Sequence, residues 1–319
     1  MKIALSSLFF ATLSASASLA LAQNPPAQPP LQKPPEKAPE KAAPIPTDAE
    51  RLTAWPKVDG KTLDTMKVDI ERLRKAHTPE MGDQAHAALV AVGAAVVPEL
   101  LPVLGKERDD QARIRVEDVL DEITTAVHTR LLAPEFANKS REIRTWVLRR
   151  CGQFPDTALR AQAEAALQKA LDAVARADDK DEQAAIADER YAASLCVTST
   201  GSIKALPTMQ KYVLENWGKR GPELRAALNA VRCKEATDFA LKLVADKDRK
   251  VIVAGLNMLA GCGTKDAIPA VKPQLDNTDN SIRIAAINAL RGIVDGELPI
   301  ANLPVFEAIE IAKKWKTRV

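Results

Sequence analysis

The side chains able to act as nucleophiles, acids or metal ligands are few and scattered. Four cysteines, Cys151, Cys196, Cys233 and Cys262, stand far apart in a chain of 319 residues, with no CxxC pair and no haem-attaching CxxCH. The three histidines, His77, His86 and His128, fall before residue 130 without a common spacing. No GxSxG nucleophile elbow and no HExxH zinc helix occurs. GCGTK, from Gly261 to Lys265, sets glycines ahead of a helix start as a phosphate loop would, but it lacks the P-loop spacing and follows a helical stretch instead of a strand. Acidic pairs such as Asp246 with Asp248 and Asp276 with Asp279 lack the sixth-position glycine and distal glutamate of a calcium loop, and helix capping accounts for them. The expectation is a protein that catalyses nothing and holds no cofactor and no metal.

What the sequence does repeat is packing. AALNAV, AGLNML and AAINAL begin at Ala226, Ala254 and Ala285. A period near thirty with helical spacing inside each unit is the mark of stacked helix pairs, because one pair cannot bury its apolar face alone. In the last unit Asp279 and Asn280 offer an N-cap, and Ile282, Ala285, Ala286, Ala289, Leu290 and Ile293 form one stripe. A second helix there, roughly 303–316, is expected to turn Val305, Ile309 and Ala312 inward. Val97-Pro98, Leu206-Pro207 and Ile268-Pro269 each follow a glycine by a few residues and fix the start of a second helix. The spacing predicts one long helix over 109–133 with a weak break near Thr124, a pair over 141–151 and 158–177, and an acidic loop at 178–182.

The first 22 residues carry Lys2, an apolar run and an Ala20-Leu21-Ala22 site, the layout of a secretory signal peptide cleaved near Ala22. Residues 23–50 form the next region, and its first part, to Pro46, holds nine of the chain's 21 prolines. That composition buries almost nothing and predicts a disordered, semi-stiff leader. No later run of 18 apolar residues is expected to span a membrane. With 45 cations against 42 anions the net charge is +3, which argues against a nucleic-acid footprint.

Arg283 with Ala285 and Ala286, Arg225 with Ala226 and Ala227, and GAAVVPELLPVL from Gly93 to Leu104 together resemble HEAT repeats, in particular the short subtype of the bilin-lyase-like proteins. The resemblance is strong over 80–104 and 221–293 and loose between. It implies an all-α chain in which residues 51–319 form an α-α superhelix, a solenoid of about seven helix pairs, with the second helices lining a concave side.

That architecture sets the remaining expectations. Equivalent cysteines in stacked units lie about one helix diameter, ~10 Å, apart, whereas a disulfide needs Cα atoms within about 7 Å. Only a locally bent pair could join, and Cys233 with Cys262, in adjacent units, is the candidate; otherwise the thiols are small buried fillers. The recurring Asn229, Asn257 and Asn288 serve either as a polar ladder on a ligand face or as caps or bridges to a neighbouring turn, or persist without a role by descent from a duplicated unit. Lys211, Lys242 and Lys272 are the candidate partner-binding residues on second helices. The function expected is an exported scaffold or adaptor, periplasmic or extracellular, that binds a protein or envelope polymer, with no nucleic acid and no stable membrane insertion. The competing readings are an accessory domain of a lyase-like enzyme and a purely structural envelope spacer.

Overall fold

The computed structural model describes residues 46–176, 178–300 and 302–319, so the expected signal peptide (1–22) and the leader as far as residue 45 lie outside the described residues. Among the described residues the regular structure is helical and no strand occurs. The helices run α1 (Gly60–Arg74), α2 (Pro79–Val92), α3 (Val97–Leu104), α4 (Asp110–Ile123), α5 (Thr129–Leu132), α6 (Arg141–Gln153) and α7 (Arg160–Asp172). They continue as α8 (Lys180–Ser199), α9 (Leu206–Asn229), α10 (Lys234–Val244), α11 (Arg249–Cys262), α12 (Ile268–Val271), α13 (Asn280–Leu290) and α14 (Val305–Arg318).

Two kinds of helix start occur. Asp59, Thr78, Asp109, Ser140, Asp179, Asp248 and Asp279 each cap α1, α2, α4, α6, α8, α11 and α13 by accepting a first-turn amide with the side chain. Such a cap satisfies one of the orphan donors that every helix start exposes. The acidic residues near 248 and 279 are therefore occupied as caps. By contrast α3, α5, α7, α9 and α12 begin without a side-chain cap, each entered through a short 3-10 turn that tightens the chain by direct backbone bonds. Pro98, Pro207 and Pro269 sit in the first turn of α3, α9 and α12, where a missing N–H costs nothing.

The main packing partners are close in chain order: α6 on α8, α9 on α11, α10 on α11, and α11 on α13. Small residues let these backbones approach. A Cβ built on Gly255 would lie 2.9 Å from the Ala240 carbonyl and from the Val244 amide of α10, and one on Gly292 would meet the Ala260 carbonyl. The small residues of the repeated phrase are thus steric necessities as well as helix formers. The predicted stripe of Ile282, Ala285, Ala286, Ala289, Leu290 and Ile293 is buried throughout.

Arginines tie the layers together. Arg115 of α4 donates to the carbonyls of Leu73 and Arg74 at the end of α1 at 2.7 and 2.8 Å. Arg190 of α8 donates to Ala170, Leu171 and Ala173 at the end of α7. Arg232 reaches Gly261 and Gly292, and Arg225 reaches Ala260 and Gly296. Each guanidinium meets the unsatisfied carbonyls and the negative end of a neighbouring helix dipole. A buried ion pair adds to these. Glu189 of α8, 1% exposed, accepts from Arg144 Nε at 2.5 Å and Nη2 at 3.0 Å, and from Arg141 Nε at 3.2 Å.

Several sequence expectations are corrected. The segment 109–133 is not one helix: Thr124 is fully buried and extended (φ −97°, ψ 130°), and its hydroxyl donates to the Leu120 carbonyl, so the chain turns there into α5. In α14 it is Ala308, Ala312 and Trp315 that face inward, while Val305 is 56% exposed and Ile309 36%. Two alanines allow closer seating than Val305 and Ile309 would. The stretch Pro79–Leu104 does have the length and apolarity to cross a membrane. In the fold it breaks at Gly93, whose φ of 75° is open to glycine at no steric cost, and Leu89, Val96, Val97, Leu100 and Leu104 are fully buried in the protein core. At Arg220 (φ −123°, ψ 16°) α9 is kinked, and a second helical segment begins there just ahead of Pro222.

Candidate functional site

Two clefts lie on the segments between Trp55 and Lys169, the larger of them mainly apolar. The larger, a groove of about 770 Å³, lies between the 3-10 segment Ala133–Ala137 and α7. Its walls come from local sequence: Pro134 fixes the entry of the segment, Phe136 is buried as its anchor, and Leu159 and Ala166 are buried on the opposite side. Ala137 and Ala165 are exposed along it, and because both are small the groove stays open. Its charged lining is basic, with Arg130 and Lys169.

Arg130 is held by an ion-pair cluster. Its Nε donates to Asp156 at 2.6 Å and its Nη2 to Asp48 at 2.5 Å, while Arg51 Nη1 stands 3.2 Å from the same Asp156 carboxylate. Burial works against the charge of Asp156, but the Arg130 bond, the Ala158 amide and the field of Arg51 outweigh it and keep the carboxyl below the ordinary carboxylate range. Arg51 is itself buried, and its Nε is the one fully buried side-chain nitrogen or oxygen among the described residues with no hydrogen-bond partner.

The smaller cleft, about 450 Å³, is lined by Trp55, Leu101, Leu131 and Ile143, with Lys106 and Asn138 among its polar groups. Trp55 stacks on His128, ring centroids 5.7 Å apart and planes 11° from parallel. His128 Nδ1 accepts the Thr125 backbone N–H at 3.0 Å, so the imidazole is neutral at that nitrogen. Burial lowers its pKa from 6.5, against a backbone hydrogen bond with Thr125 that favours the charged ring, and the Arg150 guanidinium adds to the lowering.

A third cleft, about 870 Å³, runs over α4, α6 and the start of α8 and is charged with both signs. Its ions pair among themselves, Arg113 with Asp110, Arg149 with Glu117 and Arg176 with Asp179. Among the described residues no group of three or more His, Cys, Asp or Glu side chains is placed to hold a metal ion.

The residues singled out from sequence lie elsewhere. Lys211 (α9), Lys242 (α10) and Lys272, which opens a 3-10 turn after α12, are all exposed, and none lines the three clefts. Lys272 donates to the Val319 carbonyl. The expected Cys233 to Cys262 disulfide is not formed: all four cysteines are free thiols. Cys233 stands just ahead of α10 without a side-chain cap bond, while the Cys262 thiol is buried and turned toward the Met258 carbonyl of its own helix at 3.3 Å. The two residues are near one another, since Thr237 Oγ1 donates to the Cys233 carbonyl at 2.8 Å and lies 3.4 Å from that of Cys262. GCGTK is occupied as a turn, with Thr264 N–H bonded to Thr237 Oγ1 at 3.0 Å. Of the asparagines, Asn288 bridges to Ile300 through both its amide oxygen and nitrogen, Asn229 accepts from Arg232, and Asn257 is buried in α11.

The groove residues carried no sequence signal: alanines at 133, 137, 158, 165 and 166 read as ordinary helix formers. Arg51 and Trp55 were legible only as an isolated cation and aromatic beside the proline-rich region. No protein-family model, no curated protein and no solved structure matches the chain.

Proposed function

We propose that residues 51–319 form a HEAT-like solenoid which works, after export and loss of residues 1–22, as a non-catalytic scaffold. It binds an extended apolar segment of a partner protein in the groove between Ala133–Ala137 and α7. The groove carries this reading, because an open apolar trough bordered by small side chains suits an extended chain, and its basic lining, Arg130 and Lys169, suits a segment with acidic flanks. The packing of neighbours in chain order supports the solenoid part of the proposal. In a solenoid of that kind such second helices would line the concave side.

The test is site-specific crosslinking in the native cell with a photoreactive side chain at Ala165. The expected result is a discrete adduct that Ala137→Glu and Lys169→Glu abolish and Lys211→Glu leaves in place. An adduct equally strong in all variants, or none at position 165 while one forms at position 211, overturns the groove assignment. A structural spacer predicts no saturable adduct at either position.

A further inference from the structure

We propose that residues 46–59 are an acid-released strap over the second-helix surface, latched by the stack of Trp55 on His128. This segment precedes α1 and contains no helix, yet it is tied down along its length. Asp48 bonds Arg130, Arg51 pairs with Asp156 and donates to the Ala126 carbonyl at 3.0 Å, the Leu52 amide donates to the Val127 carbonyl at 3.1 Å, and Trp55 lies on the His128 ring. Trp55 forms one wall of the smaller cleft, and Asp48 occupies a cation of the larger groove. The strap thus sits where it limits access to both.

The latch depends on a neutral imidazole. His128 Nδ1 accepts the Thr125 N–H, and the same Nδ1 lies 3.2 Å from the Thr125 hydroxyl. A proton on Nδ1 turns that acceptor into a donor facing the Thr125 amide and removes that bond, against which the Thr125 hydroxyl oxygen and a backbone bond with Thr125 favour the charged ring, while burial outweighs them. It also adds a cation to a basic neighbourhood. The charged groups on the surrounding elements are Arg51 and Asp48 of the strap, Arg130 of α5, Arg150 of α6 and Asp156 ahead of α7, with Asp121 of α4 beyond Arg150. Each of these three carboxylates already pairs with an arginine.

The sign follows from where the proton prefers to be. Burial lowers the His128 pKa in the latched form below the 6.5 of a free imidazole, so the released form binds the proton more tightly. The latch is at full strength above pH 6.5 and weakens as pH falls through the window below it. Asp156 does not answer in that window, because its carboxyl is held below the ordinary carboxylate range.

The regulatory sense of the strap rests on the groove being a binding site; the latch itself does not, and its test needs no partner. Hydrogen exchange of the full chain, followed by mass spectrometry and corrected for the intrinsic pH dependence, reads the peptide covering residues 50–58 at pH 7.5 and pH 5.0. The expected protection falls by up to tenfold for each pH unit below the free-imidazole value, while peptides from α11 and α13 stay unchanged. His128→Asn, whose Oδ1 can accept the Thr125 amide at any pH, removes the pH response; Trp55→Leu exposes the peptide at both pH values. Equal protection at both pH values in the unmodified chain, or a pH response that survives in His128→Asn, overturns the proposal. A groove that captures nothing leaves this result untouched, so the two readings fail separately.

Discussion

Replacing Glu189 by leucine tests the buried ion pair that joins α6 to α8. The carboxylate is 1% exposed and Arg144 7%, so water does not reach in to screen either charge. The substitution removes the acceptor of two Arg144 bonds, at 2.5 and 3.0 Å, and of the Arg141 bond at 3.2 Å. Arg144 keeps its bonds to the carbonyls of Asn138 and Lys139, at 2.8 and 3.0 Å, which hold the guanidinium in place with its charge unpaired. Breaking one side of such a pair costs about 3–5 kcal/mol, and the two retained bonds set the expectation near ~3 kcal/mol. That is about a hundredfold in the unfolding equilibrium. For a domain of this size it is roughly a 6–12 °C loss of Tm. Urea unfolding followed by circular dichroism measures it. The double variant Arg144→Met with Glu189→Leu removes both charges and is expected to return to within about 1 kcal/mol of the parent or above it. A single-variant loss under about 1 kcal/mol, or a double variant no more stable than Glu189→Leu, would refute the reasoning that the cost lies in a stranded buried charge.

Two further outcomes follow from the packing. Arg190→Met deletes three bonds to the carbonyls at the end of α7 and is expected to cost about 1.5–3 kcal/mol, read by urea unfolding, with faster hydrogen exchange confined to residues 166–174. The thiols of Cys196 and Cys262 are pushed up to about 12 by burial and Cys151 is raised well above the ordinary thiol value, so at pH 8 all three are protonated as well as inaccessible. Ellman's reagent at that pH is therefore expected to titrate no more than the half-buried Cys233 in the native chain and all four thiols in denaturant. A denatured count of two would show that one pair of cysteines is joined, and peptide mapping would tell Cys233 with Cys262 from Cys151 with Cys196.

By itself the sequence determined that the described chain is helical and where many of its helices begin. Asp248 and Asp279, Pro98 and Pro269, and the stripe from Ile282 to Ile293 act within a turn or two of their own backbone, and short-range chemistry of that kind is written locally. Tertiary structure decided the rest. Whether α14 turns Ile309 or Ala308 inward depends on how closely it seats against α13, and whether Thr124 continues a helix depends on a buried site that exists only once α4 and α6 have met. The groove is a space left by small side chains, and the arginines that cap distant carbonyls and the strap that sets Trp55 on His128 act across tens of residues of chain. Such arrangements are properties of the distances between elements, and no local pattern of residue types encodes those distances.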